Sequence, residues 1–288
     1  MSSASATPVP AAPSPAADTG TLPRPGRATV ATLYDRGVDA YVNLWSSVIL
    51  PAAHAVVAAM DLEPSDTVID VGAGSGAVIP AIRDACPAGA ALALDASFEM
   101  LRVARDRADA SVAQSDALAL PIRDGTADAV LLAFVLFHVL DPIEALGEAA
   151  RALRVGGRVG TATWAQSHEP SPAAYTVWSD TLTEAGAPPV SGGRVDTGLD
   201  SEDAIERLLS ATGFTPTRVW IESLSRQWTP AAYLDLATGS GMNRVRLDAL
   251  DERTRANTLE LARNRLSSLP PEDLFWSGDV VCAAAARR

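Results

Sequence analysis

Three aspartates and three alternating glycines carry the most specific chemistry in this sequence. Asp70 lies inside an apolar run, two residues before Gly72-Ala73-Gly74-Ser75-Gly76. Asp95 closes the next apolar run, and Asp116 follows the one after that. A carboxylate at Asp95 can accept hydrogen bonds from both hydroxyls of a ribose, and one at Asp116 from an adenine amino group. The glycines let the backbone approach such a ligand without a Cβ in the way. Any one of these aspartates could instead be a loop acid or a helix N-cap, and Asp95, before Ala96-Ser97, would suit a cap well. The three together are a pattern that caps do not produce. The chain has three histidines, the natural proton acceptors near neutral pH: His54, His138 and His168.

These residues need elements that bring them to one edge. Thr67–Val71 reads as a buried strand, Ala77–Ala85 as a helix, Ala91–Leu94 as a strand ending at Asp95, and Phe98–Ala108 as a helix. Ser111–Gln114, Ala127–Phe134 and Gly157–Trp164 read as further strands, with a helix over Ile143–Leu153 and a turn at Arg154-Val155-Gly156-Gly157. Strands that are continuously apolar and alternate with helices predict a parallel sheet covered on both faces. The expected fold is therefore α/β, Rossmann-like and doubly wound, with a mostly parallel seven-stranded sheet. In such a sheet Asp70, Asp95, Asp116, Phe134 and His138 gather at the carboxyl edge, where ligands bind.

Before this core, Leu33, Val38, Tyr41, Val42, Trp45, Val48 and Ile49 recur at helical steps, and Pro51 is expected to split them into two helices. After Trp164 the alternation loosens. A polar Pro- and Gly-rich stretch to about Leu199 reads as loop, followed by a helix from Ser201 to Ala211 and a strand over Thr217–Trp228. Helices over Pro230–Ala237 and Glu252–Leu266 and a strand over Asp279–Ala284 complete the chain. Residues 1–27 form an Ala-, Pro- and Ser-rich tail expected to be disordered, and 28–288 a single domain. That domain divides into a helical cap (28–60), a cofactor-binding core (61–165), and substrate-side insertions with the last strands (166–288).

Composition narrows the chemistry. All 23 residues in the Lys+Arg count are Arg, which rules out a lysine Schiff base. The net charge of -12 argues against nucleic acid or an anionic membrane as partner. Cys86 and Cys282 form neither a disulfide framework nor a metal-spaced set. No metal is expected. No signal peptide or membrane span is expected either, so the protein is read as cytoplasmic, a monomer or homodimer.

Gly72-x-Gly74-x-x-Ala77 also satisfies a relaxed dinucleotide fingerprint. Three features favour S-adenosylmethionine (SAM) over NAD. The glycines alternate, Asp70 puts negative charge where phosphates would pass, and Asp116 supplies an adenine partner. The segments Val68–Gly76, Ala93–Leu101, Ser115–Pro121, and Phe137-His138 through Arg154-Val155-Gly156-Gly157 resemble the class I SAM-dependent methyltransferases of the small-molecule, ubiquinone-biosynthesis-like group. The resemblance covers about residues 30 to 165. It implies that Asp70, Gly72, Ala73, Gly74 and Gly76 line the methionine end and ribose, that Asp95 holds the ribose hydroxyls, and that Ala96 and Met100 pack on adenine. It further implies that Asp116 and Ala117 read the adenine edge, that Phe134 lines the cofactor site, and that Tyr34 closes over the methionine end. Ala96 is smaller than the residue usual there, and Val155 replaces the usual Pro.

The expected activity is methyl transfer from SAM to an O, N or C atom of a small, apolar or aromatic metabolite, with secondary metabolism as its setting. The alternatives are a cyclase or isomerase that keeps SAM without transferring methyl and, further off, an NAD-dependent oxidoreductase. His138 or His168 is the expected base, and His54 is read as structural. The substrate roof is expected from Tyr41, Trp164, Tyr175, Trp178 and Trp228, within an aromatic set that also includes Trp220, Tyr233 and Trp276.

Overall fold

The strand β1 (Thr67–Val71) is the third of seven in a single sheet, interior to it. A computed structural model describes residues 27–166, 173–189 and 198–288; apart from Arg27, the tail expected at 1–27 lies outside the described residues. The other strands are β2 (Ala90–Asp95), β3 (Ser111–Gln114), β4 (Ala127–Ala133), β5 (Leu153–Trp164), β6 (Phe214–Gln227) and β7 (Phe275–Arg287). Their order is β3-β2-β1-β4-β5-β7-β6. The first five are parallel, and β7 runs antiparallel to both of its neighbours. The chain leaves β1 toward β2 on one side and returns to β4 on the other, so the loops after β1 and β4 part at a switch point. A crevice opens there at the carboxyl edge.

The helices are α1 (Arg27–Ala40), α2 (Ser46–Ala59), α3 (Ile79–Ala85), α4 (Phe98–Ala108), α5 (Pro142–Ala152), α6 (Ala173–Glu184), α7 (Glu202–Ala211), α8 (Pro230–Gly239), α9 (Gly241–Asp248) and α10 (Glu252–Ser267). Alternate residues of β1 serve the two faces. Ile69 and Val71, with Leu94, Val130 and Leu132, are buried against Leu146 of α5 and Ile205 and Leu209 of α7. Val68, Ala93, Leu131 and Ala162 are buried under α2 and α3. At Gly160 of β5 an added Cβ would lie 2.5 Å from the Met60 sulfur and 2.6 Å from Val56 Cγ1, so the glycine is what lets α2 lie directly on the strand. Beyond the sheet, α6, α8, α9 and α10 form a helical layer with its own core of Trp178, Leu182, Trp228, Leu234, Leu247 and Leu266.

Several boundaries differ from the sequence reading. Pro51 does not split the cap; it sits inside α2. The break comes earlier, as a π-helical turn over Tyr41–Trp45, where the Ser46 N–H reaches back to the Tyr41 carbonyl. The Arg154–Gly157 stretch is not a turn ahead of a strand but part of β5. Its register against β4 shifts between Ala127 and Ala129, and Gly156 has φ +74°, as a bulge requires. Helices α6 and α9 stand where no helix was read, and β7 extends well beyond Asp279–Ala284 at both ends. With the π turn, α1 and α2 make one run, Val30–Ala59, long and apolar enough to cross a membrane by length and composition. In this fold α2 lays Ala52, Ala53, Val56 and Val57 against the sheet.

Candidate active site

Asp70 is fixed by its strand, which pairs it with Ala93 of β2 and Leu131 of β4. Its side chain is buried, and Oδ2 has no hydrogen-bond partner among the described residues. Burial, with the Asp95 charge adding to it, pushes its carboxyl up to about 8. Past β1 the chain turns through Gly72, Gly74 and Gly76 at φ +69°, +53° and +72°, a left-handed conformation that explains the alternation of glycines. The Gly72 and Ala73 N–H groups both donate to the Leu94 carbonyl, at 2.7 and 3.0 Å, and pin the turn across the end of β2.

One carboxylate ties the two loops together. Asp95 Oδ2 accepts from the Gly74 N–H at 2.8 Å, and Oδ1 from the Ser97 N–H at 2.8 Å. Burial raises the Asp95 carboxyl, and the hydrogen bonds from Ser97, Gly74 and Ala96 oppose that rise. The N-cap of α4 is Ser97, not Asp95: its Oγ accepts from the Met100 N–H at 3.1 Å. Asp116 is buried in the turn after β3, where Oδ1 accepts from the Leu118 N–H at 3.1 Å, with Ala117 half-buried beside it. Ala96 is also half-buried, and Met100 is buried with Val38 and Val103, facing α1.

On the other side of the crevice, β4 gives way to Phe134 at φ +62°, a strained conformation for an aromatic residue. Its N–H stays bonded to the Ala162 carbonyl at 2.8 Å, and its ring packs on Trp164 with centroids 5.1 Å apart. Trp164 in turn meets Trp45 and Trp276, at 6.0 and 5.9 Å. The turn continues to His138, whose Nε2 lies 3.0 Å from the Tyr34 hydroxyl of α1. Burial pulls the His138 imidazole down to about 4 and holds the Tyr34 and Tyr41 phenols above the usual range. The imidazole is therefore neutral at physiological pH.

Between these loops and the cap lies a cleft of about 390 Å³, open mouth included. Asp70 lines it from β1, Gly72, Ala73 and Ser75 from the glycine turn, Phe134 from the turn after β4, Tyr41 from the π turn, and Ile49 and Leu50 from α2. Of the other expected site residues, Tyr175 is exposed on α6, while Trp178 and Trp228 are buried in the core of the helical layer. His54 is exposed on α2. His168 lies outside the described residues. The sequence reading assigned no role to Asp35, Ser97 or Trp45. Ser97 carries a cap signature, a Ser before a helix with Glu99 in its first turn, that could have been read.

Residues 69–160 match the family model of a methyltransferase domain. Over these residues the core of this chain is similar to a methyltransferase domain. The chain is 37% identical over 131 residues to a demethylmenaquinone methyltransferase of Renibacterium salmoninarum, covering 45% of this chain and 54% of that protein. It is 35% identical over 140 residues to the demethylmenaquinone methyltransferase of Thermobifida fusca, 45% of this chain and 58% of that one. The chain thus spans rather more than half the length of these relatives. The same fold is seen in the crystal structure of the [4+2]-cyclase SpnF, with a TM-score of 0.58, 17% identity, and coverage of 92% of this chain and 98% of that one. The cofactor of such a domain is SAM, and the residues fit it. A buried, unpartnered carboxylate oxygen at Asp70 suits a cationic ligand, and a Cβ at Gly74 would project toward the Tyr41 ring, 3.8 Å away, into space the glycine leaves free.

Proposed function

We propose that this protein transfers a methyl group from SAM to an O, N or C atom of a small apolar or aromatic metabolite of the kind made in secondary metabolism. The observation that carries this reading is the pairing of Asp70 and Asp95 around the glycine turn. One carboxylate has a buried oxygen without a hydrogen-bond partner among the described residues, and the other is held by backbone N–H groups from both loops. When bound, SAM supplies a methyl group on a sulfonium, already activated for displacement. The chain's task is to hold, align and desolvate the reactants and to take a proton where the acceptor must lose one. Gly72, Ala73, Gly74, Gly76 and Asp70 take the methionine end, Asp95 the ribose, and Ala96, Met100, Asp116 and Ala117 the adenine side. Tyr34 and Phe134 close the site. The rings of Tyr41, Phe134 and Trp164 give the acceptor apolar walls. His138, beside Phe137 and paired with Tyr34, is one candidate base, although the burial that pulls its imidazole down weakens it as a proton acceptor, and His168 is the other. The reading takes the protein to be cytoplasmic, a monomer or homodimer, with neither nucleic acid nor membrane as partner.

Calorimetry with SAM is the direct check; no heat of binding at high micromolar cofactor would sink the reading. A panel of phenolic and enolic acceptors should then release S-adenosylhomocysteine. Because a [4+2]-cyclase shares the fold over nearly the whole chain, a second reading is a cyclase or isomerase that retains SAM. Conversion of an acceptor without release of S-adenosylhomocysteine would favour it.

A further inference from the structure

Two neighbouring residues of α1 reach different walls of the crevice. Successive side chains on a helix point about 100° apart. Tyr34 meets His138 in the loop after β4, and Asp35 turns toward the loop after β2. Asp35 Oδ1 accepts from the Ser97 hydroxyl at 2.5 Å and from the Glu99 N–H at 3.3 Å. Ser97 is buried, and its own N–H donates to Asp95 Oδ1 at 2.8 Å. Asp35, Ser97 and Asp95 therefore form a continuous chain of hydrogen bonds running from the cap helix to the carboxylate beside the glycine turn.

From this we infer that Asp35 is a positioning residue for the cofactor: it fixes Ser97 so that the Ser97 N–H holds Asp95, and by the same contact pins α1 across the crevice. The inference rests on the SAM reading above. A carboxylate suits the place, because its charge faces the first turn of α4, where N–H groups are unpaired. The hydroxyl of Ser97 can donate in one direction only. With Asp35 taking that proton, the Ser97 oxygen is left to accept from the Met100 N–H, as it does. Without Asp35, Ser97 can turn its hydroxyl elsewhere, and α1 loses its hydrogen bonds to the loop after β2 while keeping the Tyr34 bond to the far wall and the Val38 packing on α4. An effect on cofactor affinity follows, although Asp35 itself is not among the residues that line the cleft.

The experiment is calorimetry on the full chain with SAM and with S-adenosylhomocysteine, comparing wild type, Asp35→Ala and Asp35→Asn. Asp35→Ala should weaken both ligands by tenfold or more. Asp35→Asn should bind within about threefold of wild type, because its amide oxygen can accept from the Ser97 hydroxyl as the carboxylate does. A residue that merely capped α4 would lower the melting temperature in the Ala variant and leave both affinities unchanged; that result overturns the inference while leaving the SAM reading intact. Wild type that fails to bind either ligand overturns both. Should Asp35→Ala not fold, hydrogen exchange on wild type decides. Added SAM should slow exchange in residues 30–40 together with 96–100, and slowing at 96–100 alone overturns the inference.

Discussion

At the scale of the residue, the site is governed by two carboxylates with different surroundings. Asp95 is raised by burial, but its hydrogen bonds from two loops work against that. Asp70 has an unpartnered oxygen and a carboxyl pushed up to about 8. Its sign is clear. The folded value lies above the unfolded one, so the free protein holds Asp70 protonated at little cost below about pH 4. It loses stability as pH rises from there toward 8. A cation in the cleft reverses the preference and favours the carboxylate. Asp70→Asn should therefore raise the melting temperature of the cofactor-free protein at pH 8 more than at pH 5. It should also abolish the part of SAM binding that strengthens between pH 6 and 8; equal shifts at both pH values would refute the assignment. Asp95→Ala should cost about 2–4 kcal/mol of SAM affinity, the worth of charge-assisted hydrogen bonds to ribose hydroxyls, and unchanged affinity by calorimetry would remove Asp95 from the ribose. Both residues were legible in the sequence because Asp70 is the one acid inside an apolar strand just before the glycines and Asp95 ends the next strand. Asp35 was not, because its partner Ser97 lies 62 positions away and only folding brings them together.

At the scale of the element, the cap matters most, and its seating depends on one small residue. With Gly160 replaced by Ala, the added Cβ would meet Met60 and Val56 at distances no packed core tolerates, and α2 must lift from β5. Gly160→Ala should lower stability by about 1–3 kcal/mol, the usual range for overpacking. Because α2 also lines the cleft, SAM affinity should fall with it; denaturant melts and calorimetry on the same variant test the pair, and lost stability with intact binding would separate the cap from the site. The sequence showed β1, α4 and β3 with their observed limits, since each combines a clear period with a clean boundary such as Ser97 or Gly72. It hid α6 and α9, whose apolar residues serve the helical layer and not the sheet, amid Pro, Gly and Ser that suggest loop. It also hid the π turn, because one extra residue shifts a helical pattern without erasing it. The bulge in β5 was misread for a related reason: paired glycines signal a turn, yet here they let a parallel strand slip register and go on.

At the scale of the whole molecule, the field of the protein acts on the cofactor before any contact forms. The chain carries a net charge of -12, and its positive charges are all on Arg. SAM bears a sulfonium and an ammonium against one carboxylate, a net positive charge, whereas S-adenosylhomocysteine has lost the sulfonium and is neutral overall. An acidic protein draws in the first and not the second. Salt screens this field over about 10 Å at 0.1 M, so its effect on approach should vanish at high ionic strength, while the buried contact at Asp70 is screened far less. The association rate of SAM should thus fall several-fold between about 0.02 and 0.5 M salt, whereas that of S-adenosylhomocysteine should barely change and the dissociation rates of both should hold nearly constant. Stopped-flow fluorescence can follow this, since Trp45 and Trp164 pack next to the cleft wall at Phe134. Equal salt dependence for the two ligands would show that the acidic surface does not steer SAM.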